Sequence, residues 1–224
     1  MNKEEKIQLI KQYFDFWDKL SPNVQEFVGE NIYEMNYKAG ENIHNGDTMC
    51  VGVLFVEKGS LRVYIMSEEG KEVTLYRVED GETCILSASC VLSEVTFDVH
   101  IDSVEDTKVL VLPAGIFADL IKNNIYFENY QNKIKAQRLS DVMWTMQQIL
   151  FFSFDKRLAI FLYDELVKNG PIITYSHLEI AKYLGSAREV VSRMLKYFEK
   201  EGILTVSRKE IVITDKKRLF EYTK

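Results

Sequence analysis

The sequence predicts an α+β chain in three parts: an N-terminal roll of short β-strands, a long helix, and a C-terminal winged helix-turn-helix. Three observations carry that expectation. Glycine-punctuated β-prone runs fill residues 24–113, and an apolar helical periodicity runs from Phe117 to Lys168. Between Thr174 and Thr214, two short helices with a glycine turn precede a basic hairpin. The expected boundaries are 1–115 for the roll, 116–152 for a dimerisation helix and 153–224 for the winged part.

From about Val24 to Pro113 helical periodicity is weak. The runs Ile32 to Tyr37, Val53 to Val56, Leu61 to Met66, Glu72 to Val78, Thr96 to Ile101 and Val109 to Leu112 read as strands. Turn signals separate them at Ala39-Gly40-Glu41, Asn45-Gly46-Asp47, Lys58-Gly59-Ser60, Glu68-Glu69-Gly70-Lys71 and Asp80-Gly81-Glu82. Many short strands at regular spacing indicate a double-sheet jelly roll or a small barrel, which can enclose a small ligand.

The helical stretch breaks near Phe152-Ser153-Phe154-Asp155. In its first half Tyr130, Ile134, Leu139, Val142, Met143, Met146 and Ile149 recur at three- and four-residue steps, flanked by Lys133, Lys135, Arg138 and Asp141. Such a stripe packs either on its own roll or against a second subunit. The second fate is favoured, because a lone helix-turn-helix reads few base pairs and half-sites one helical turn apart need a two-fold partner.

The winged part opens with its own start signal, Ser176-His177-Leu178-Glu179, a capping box in which Ser176 accepts from the amide of residue 179 while Glu179 reaches back. Leu178, Ala181 and Leu184 make one apolar stripe on this first helix. Gly185 supplies the positive φ of the turn, and Ser186 opens the second helix, Ser186 to Phe198. Val190, Val191, Met194, Leu195 and Phe198 fall on its core side. Arg188, Glu189, Ser192 and Arg193 gather near its start on the other. These are donors and acceptors suited to base edges: arginine forks onto guanine O6 and N7, and a carboxylate accepts from cytosine N4. Glu189 and Arg193 also stand at i and i+4, the spacing of a helix-surface ion pair, and Glu189 stands three residues after Ser186, the spacing of a second capping box. Past Gly202, the β-prone runs Ile203 to Ser207 and Ile211 to Thr214 flank a tip, Arg208-Lys209-Glu210. Its two cations suit phosphates, or form an ordinary solvated turn. His177, beside the first cap, suits a phosphate as well as mere exposure.

Charge separates the parts. The whole chain carries −6, the wrong sign for coating nucleic acid, yet residues 172–224 hold 11 Lys+Arg against 7 Asp+Glu. That leaves 17 against 27 in the first 171 residues, so any DNA contact is expected in the C-terminal quarter. No apolar run approaches the roughly 18 residues of a membrane span, and Met1 to Lys6 lacks a signal-peptide pattern, so a cytoplasmic location is expected. Three cysteines without a CxxC suit a reducing compartment better than a disulfide framework.

The order of parts resembles the CRP/FNR superfamily of bacterial transcription regulators over nearly the whole chain. The most specific match is Ser186 to Arg193, similar to that family's recognition-helix signature. The resemblance implies Glu189 and Arg193 as readers of a TGA core in a palindromic half-site, with Arg188 placed as in the cyclic-AMP receptor branch and Ser192 as in the FNR branch. In the cyclic-nucleotide-binding-like roll, Gly40-Glu41, Gly59 to Tyr64 and Gly81-Glu82 look like its turn glycines and strand pattern. It further implies a homodimer, double-stranded DNA and RNA polymerase as partners. Two departures matter. Residues 84–98 contain no arginine or lysine to grip a phosphate, which disfavours cyclic AMP. No cysteine precedes Cys50, so an iron–sulfur cluster has too few ligands.

Gly81, Glu82, Cys84 and Cys90 are the remaining candidates for an effector pocket, with Cys50 and His44 on other turns. The cysteines read as buried small hydrophobes, as a thiol switch or as part of a haem ligand set. The effector is otherwise unassigned. His100 reads as a packed strand residue. A rival from another class is a cupin-type enzyme with an appended DNA-binding domain. His44, His100 and His177 do not form its paired His-x-His plus Glu metal set, so no catalytic or metal residue is expected.

Overall fold

The computed structural model describes residues 2–45, 50–91, 98–208 and 210–224, without the side chains at 89–91. Lys209, the thiol of Cys90, most of the turn after Asn45 and the start of the run at Thr96 lie outside the described residues. Met1–Ile65 with Leu75–Val142 form one compact unit, and Met66–Thr74 with Met143–Lys224 a second.

The first unit opens with α1 (Lys3–Lys11), started by a capping box. Asn2 Oδ1 accepts from the Glu5 amide at 2.8 Å, and the Asn2 amide donates to Glu5 Oε2 at 2.9 Å. α2 (Pro22–Asn31) follows, with proline in its first turn, where the missing N–H is no loss. This corrects the expectation of β-structure from Val24: Ser21-Pro22 is a helix start that the strand reading passed over.

Among the described residues eight strands then build the roll: β1 (Tyr33–Tyr37), β2 (Asn42–His44), β3 (Val53–Lys58), β4 (Leu61–Met66), β5 (Glu72–Val78), β6 (Thr83–Cys84), β7 (His100–Ser103) and β8 (Thr107–Leu112). They form two four-stranded sheets, ordered β1-β8-β3-β6 and β2-β7-β4-β5. Leu54 pairs with Val111 and Phe55 with Leu110 in the central antiparallel pair. Val53 to Val56 and Val109 to Leu112 are wholly buried, which is why they read as continuous apolar runs rather than alternating ones. The N-terminal segment supplies part of their cover. Tyr13 and Phe14 pack edge-on against Phe55 at 5.1 and 5.4 Å, and Tyr13 donates to the Val56 carbonyl at 2.5 Å. Between β3 and β4, Gly59 has φ +105° and a Cβ there would stand 2.4 Å from Thr107 Oγ1, so only glycine fits.

The expected single helical stretch is broken twice, into α3 (Ala114–Asn123), α4 (Ile125–Phe151) and α5 (Phe154–Asn169). The second break is the expected one. The first falls at Asn124, whose side chain accepts from the Tyr126 amide at 3.0 Å and starts a new helix. Along α4 the apolar stripe has two fates. Tyr130 and Ile134 are buried in the core of the roll, and Val142 packs against it, whereas Leu139, Met143, Met146 and Ile149 are exposed.

In the second unit, α5, β9 (Ile172–Ile173), α6 (His177–Leu184), α7 (Arg188–Lys200), β10 (Leu204–Val206), β11 (Ile211–Ile213) and α8 (Lys216–Glu221) surround their own core. Leu158, Leu162, Ile180, Val191, Leu195, Phe198 and Leu219 are its centre. β9 joins the expected hairpin as a third strand, giving the order β10-β11-β9. Among the described residues no helix is long and apolar enough to cross a membrane.

Candidate nucleic-acid interface

The expected capping box starts α6: Ser176 Oγ accepts from the Glu179 amide at 3.2 Å, and the Ser176 amide donates to Glu179 Oε2 at 2.7 Å. The expected apolar stripe is only partly right. Ile180 and Ala181 are buried, Leu184 is half-buried, and Leu178 is exposed. Gly185 ends α6 in the left-handed region at φ +58°, ψ +44°. The amides of Gly185 and Ser186 both donate to the Ala181 carbonyl, which closes the helix in the manner of a Schellman turn. Arg157 of α5 donates to the Leu184 carbonyl at 2.9 Å, satisfying another end group of α6.

α7 starts two residues later than expected. Its N-cap is Ala187, extended at φ −88°, ψ +146°, and no side chain caps it. Ser186 therefore does not cap α7, and Glu189 is not the far half of a capping box. Val191, Leu195 and Phe198, at i, i+4 and i+7, are fully buried and fix the helix face. Arg188, Glu189, Arg193 and Lys196 are exposed on the other side with Ser192 half-buried among them, and these five line a shallow groove of about 450 Å³. Glu189 and Arg193 form no ion pair with each other among the described residues. Lys196 was missed from the sequence, although its place one turn after Ser192 is the signal that finds it.

A second, larger groove of about 770 Å³ joins the start of α6, the start of α7 and the wing, with Ser176, His177, Arg188, Ser207, Arg208 and Glu210 on its walls. The wing tip is tight. The Ser207 amide donates to the Glu210 carbonyl at 2.9 Å, and Ser207 Oγ both donates to that carbonyl and accepts from the Glu210 amide. His177 Nδ1 lies 2.7 Å from Ser192 Oγ. Burial, and then the positive charge of Arg188, lowers the His177 pKa, which favours the neutral imidazole.

The effector candidates sit in the first unit. Gly81 takes φ +79° in the turn before β6, and Glu82 closes that turn by accepting from the Glu79 amide at 3.0 Å. Arg138, expected as a flank of a subunit seam, turns into the roll instead. It donates to the Thr83 carbonyl at 3.2 Å and to Asp141 at 2.9 Å, lies 3.5 Å from Glu82, and stacks over the Tyr76 ring at 4.8 Å. Burial opposes its charge, yet Glu82, Tyr76 and Asp141 together raise its pKa. Two turns upstream on α4, Tyr130 shares a buried 2.6 Å hydrogen bond with Thr83 Oγ1. Cys84 is free and buried, and burial pushes its thiol pKa up. Cys50 is disulfide-bonded, where the sequence favoured reduced cysteines over a disulfide framework. His44 is buried, with its pKa lowered by burial and then by His100, which stacks on Tyr64 at 5.1 Å. No group of three or more metal-binding side chains comes together among the described residues.

A glycine-turned helix pair with an exposed polar second helix, a three-stranded wing and a separate β-roll together define a winged helix-turn-helix regulator. Comparisons with known proteins narrow that class. The Crp-like helix-turn-helix domain matches residues 156–222, and the cyclic nucleotide-binding domain matches residues 34–124. A solved structure from Eubacterium rectale, assigned to the Crp/Fnr family of transcriptional regulators, is 42% identical, covers 94% of this chain and 98% of its own, and superposes with a TM-score of 0.91. The cyclic AMP receptor protein of Thermus thermophilus is 25% identical over 186 residues, 83% of this chain and 85% of the relative. The transcriptional activator FnrA of Stutzerimonas stutzeri is 27% identical over 191 residues, 80% of this chain and 75% of the relative. The chain belongs to the CRP/FNR family of transcription regulators. These relatives give no support to a cupin-type enzyme.

Proposed function

We propose that this regulator works as a cytoplasmic homodimer that reads a palindrome in double-stranded DNA through α7, with RNA polymerase as the partner that receives the outcome. The observation that carries the reading is the groove on α7. Four of its polar side chains are exposed, and Glu189 and Arg193 have no ion pair to neutralise one another. A surface that leaves charges unneutralised at helical spacing is chemically ready for base edges and phosphates. Arg188, Glu189, Ser192 and Arg193 take the base-reading role, with Lys196 beside them. Ser176, Arg208 and Lys209 take phosphates, with His177 beside them at the start of α6. The exposed apolar residues Leu139, Met143, Met146 and Ile149 of α4 form the subunit seam, in keeping with a roll of 1–115, a dimerisation helix of 116–152 and a DNA-binding part of 153–224. Signalling through the roll then shifts the dimer between states that differ in how the two α7 helices are spaced. Gly81, Glu82, Cys84 and Cys90 mark the part of the roll where the signal acts. Within it Cys84 serves as a packed apolar residue.

Selection on random DNA tests the reading. Arg193→Ala is expected to cost about 1–3 kcal/mol of specific binding and to relax preference at one guanine. An unchanged base preference overturns it.

A further inference from the structure

Ser192 is the one uncharged residue among the polar side chains that line the α7 groove. A serine hydroxyl is an ambivalent reader: it donates to a base acceptor or accepts from a base donor, and its hydrogen rotates freely. On a helix it also tends to turn back to the carbonyl one turn earlier. Here it does neither freely, because the imidazole of His177, at the first position of the other helix of the motif, holds Ser192 Oγ at 2.7 Å through Nδ1. The contact spans 15 residues and joins α6 to α7, so the capping box that starts α6 and the buried face of α7 both fix its geometry.

We infer that His177 is a positioning residue for base readout: by taking one hydrogen-bonding position on Ser192 Oγ, it fixes the directions in which the remaining ones face the groove. If Nδ1 donates, it fills one of the two lone pairs, and the O–H and the second lone pair are left for the base in fixed directions. If Nδ1 accepts, the lone pairs of Ser192 are left for a base donor. Either way a freely rotating hydroxyl becomes one held in a set orientation, which is what lets it favour one base pair, and the residue responsible need not touch a base. The inference rests on α7 being the DNA-reading helix. It assigns His177 a role other than a phosphate contact, and the two have different consequences. Loss of a phosphate contact weakens binding to all sequences alike and lowers the salt dependence, whereas loss of a positioning contact changes preference at one position.

The experiment is selection from randomised half-sites with the full-length protein, comparing the parent with His177→Ala, His177→Asn, Ser192→Ala, the His177→Ala/Ser192→Ala double variant and Arg193→Ala. Ser192→Ala is expected to flatten preference at one base pair by about five- to tenfold. His177→Ala is expected to flatten the same position and no other, with the double variant no flatter than Ser192→Ala alone. His177→Asn keeps a polar atom near the place of Nδ1 and is expected to restore most of the preference. Circular dichroism melting of each variant guards against loss of fold, and His177→Gln, which keeps a polar chain but moves the amide beyond reach of Ser192, stands in if the alanine variant unfolds. The inference is overturned if His177→Ala, or the glutamine variant in its place, leaves that position unchanged, or lowers affinity for every sequence equally. It is overturned too if Ser192→Ala has no effect on preference while Arg193→Ala does. If Arg193→Ala also leaves all positions unchanged, the DNA-reading role of α7 itself falls, and the inference with it.

Discussion

Arg138 in the roll and Arg193 on α7 are the same residue type in opposite circumstances. The Arg138 side chain is 12% exposed and is met by a carbonyl, two carboxylates and an aromatic ring. Arg193 is exposed and its i−4 carboxylate does not pair with it. A charge satisfied within its own unit holds elements together and has little left for a ligand, while a charge left unsatisfied on a rigid helix is available to one. The contrast divides α4 as well. Its first half is stitched to the roll through Tyr130, Ile134 and Arg138, and its second half shows exposed apolar side chains at Leu139, Met143, Met146 and Ile149.

The largest effect is expected where the contrast is steepest, at the exposed half of α4. At the seam proposed for α4, replacing Met143 and Met146 with glutamate is expected to put like charges face to face away from water, while Val142, which packs on the roll, is best left alone. Sedimentation is expected to show a monomer, and affinity for a full palindrome is expected to fall by at least about a hundredfold, since one recognition helix holds few base contacts. A variant still dimeric at low micromolar concentration with parental affinity removes α4 as the interface.

A smaller effect is expected from Arg138→Ala. It leaves the Thr83 carbonyl without its donor and takes the cation from two carboxylates, so urea unfolding is expected to show a loss of roughly 2–3 kcal/mol. Arg193→Ala is expected to change stability by less than about 0.5 kcal/mol, as surface substitutions do. If the two arginine variants unfold alike, the distinction between a structural and a recognition arginine is wrong.

How much of this was legible follows from how local each signal is. The α6 capping box, the Gly185 turn and the polar face of α7 are written within about twenty residues of each other, and helical spacing alone places them. The later start of α7 was not, because serine is a far better cap than alanine, yet the second hydrogen bond to the Ala181 carbonyl takes Ser186 into the turn and leaves Ala187 at the cap. Arg138 was unreadable for a different reason. Its partners Tyr76, Glu82 and Thr83 lie more than fifty residues away, and nothing in the spacing of α4 says that a cation beside an apolar stripe turns inward. The same holds for Arg157, whose acceptor at Leu184 exists only once α6 has ended there. The two-residue strand β6 and three-residue β2 are too short for an alternation to register.

The smallest expected effect is none. A relative of this chain is named for cyclic AMP, and the cyclic nucleotide-binding domain matches residues 34–124. A bound phosphodiester carries a full negative charge, and in a water-poor pocket it needs a cationic donor with hydrogen bonds to give. Residues 84–98 offer no arginine or lysine. Arg138 reaches the turn at Glu82 and Thr83, yet its guanidinium already serves two carboxylates and a carbonyl, and turning it to a phosphate strands those acceptors. Calorimetry of the protein is therefore expected to detect no saturable heat at micromolar cyclic AMP, and DNA affinity is expected to stay the same with and without it. Saturable micromolar binding that Arg138→Ala abolishes means that this arginine exchanges its internal partners for a ligand, and the line drawn between the two arginines then disappears.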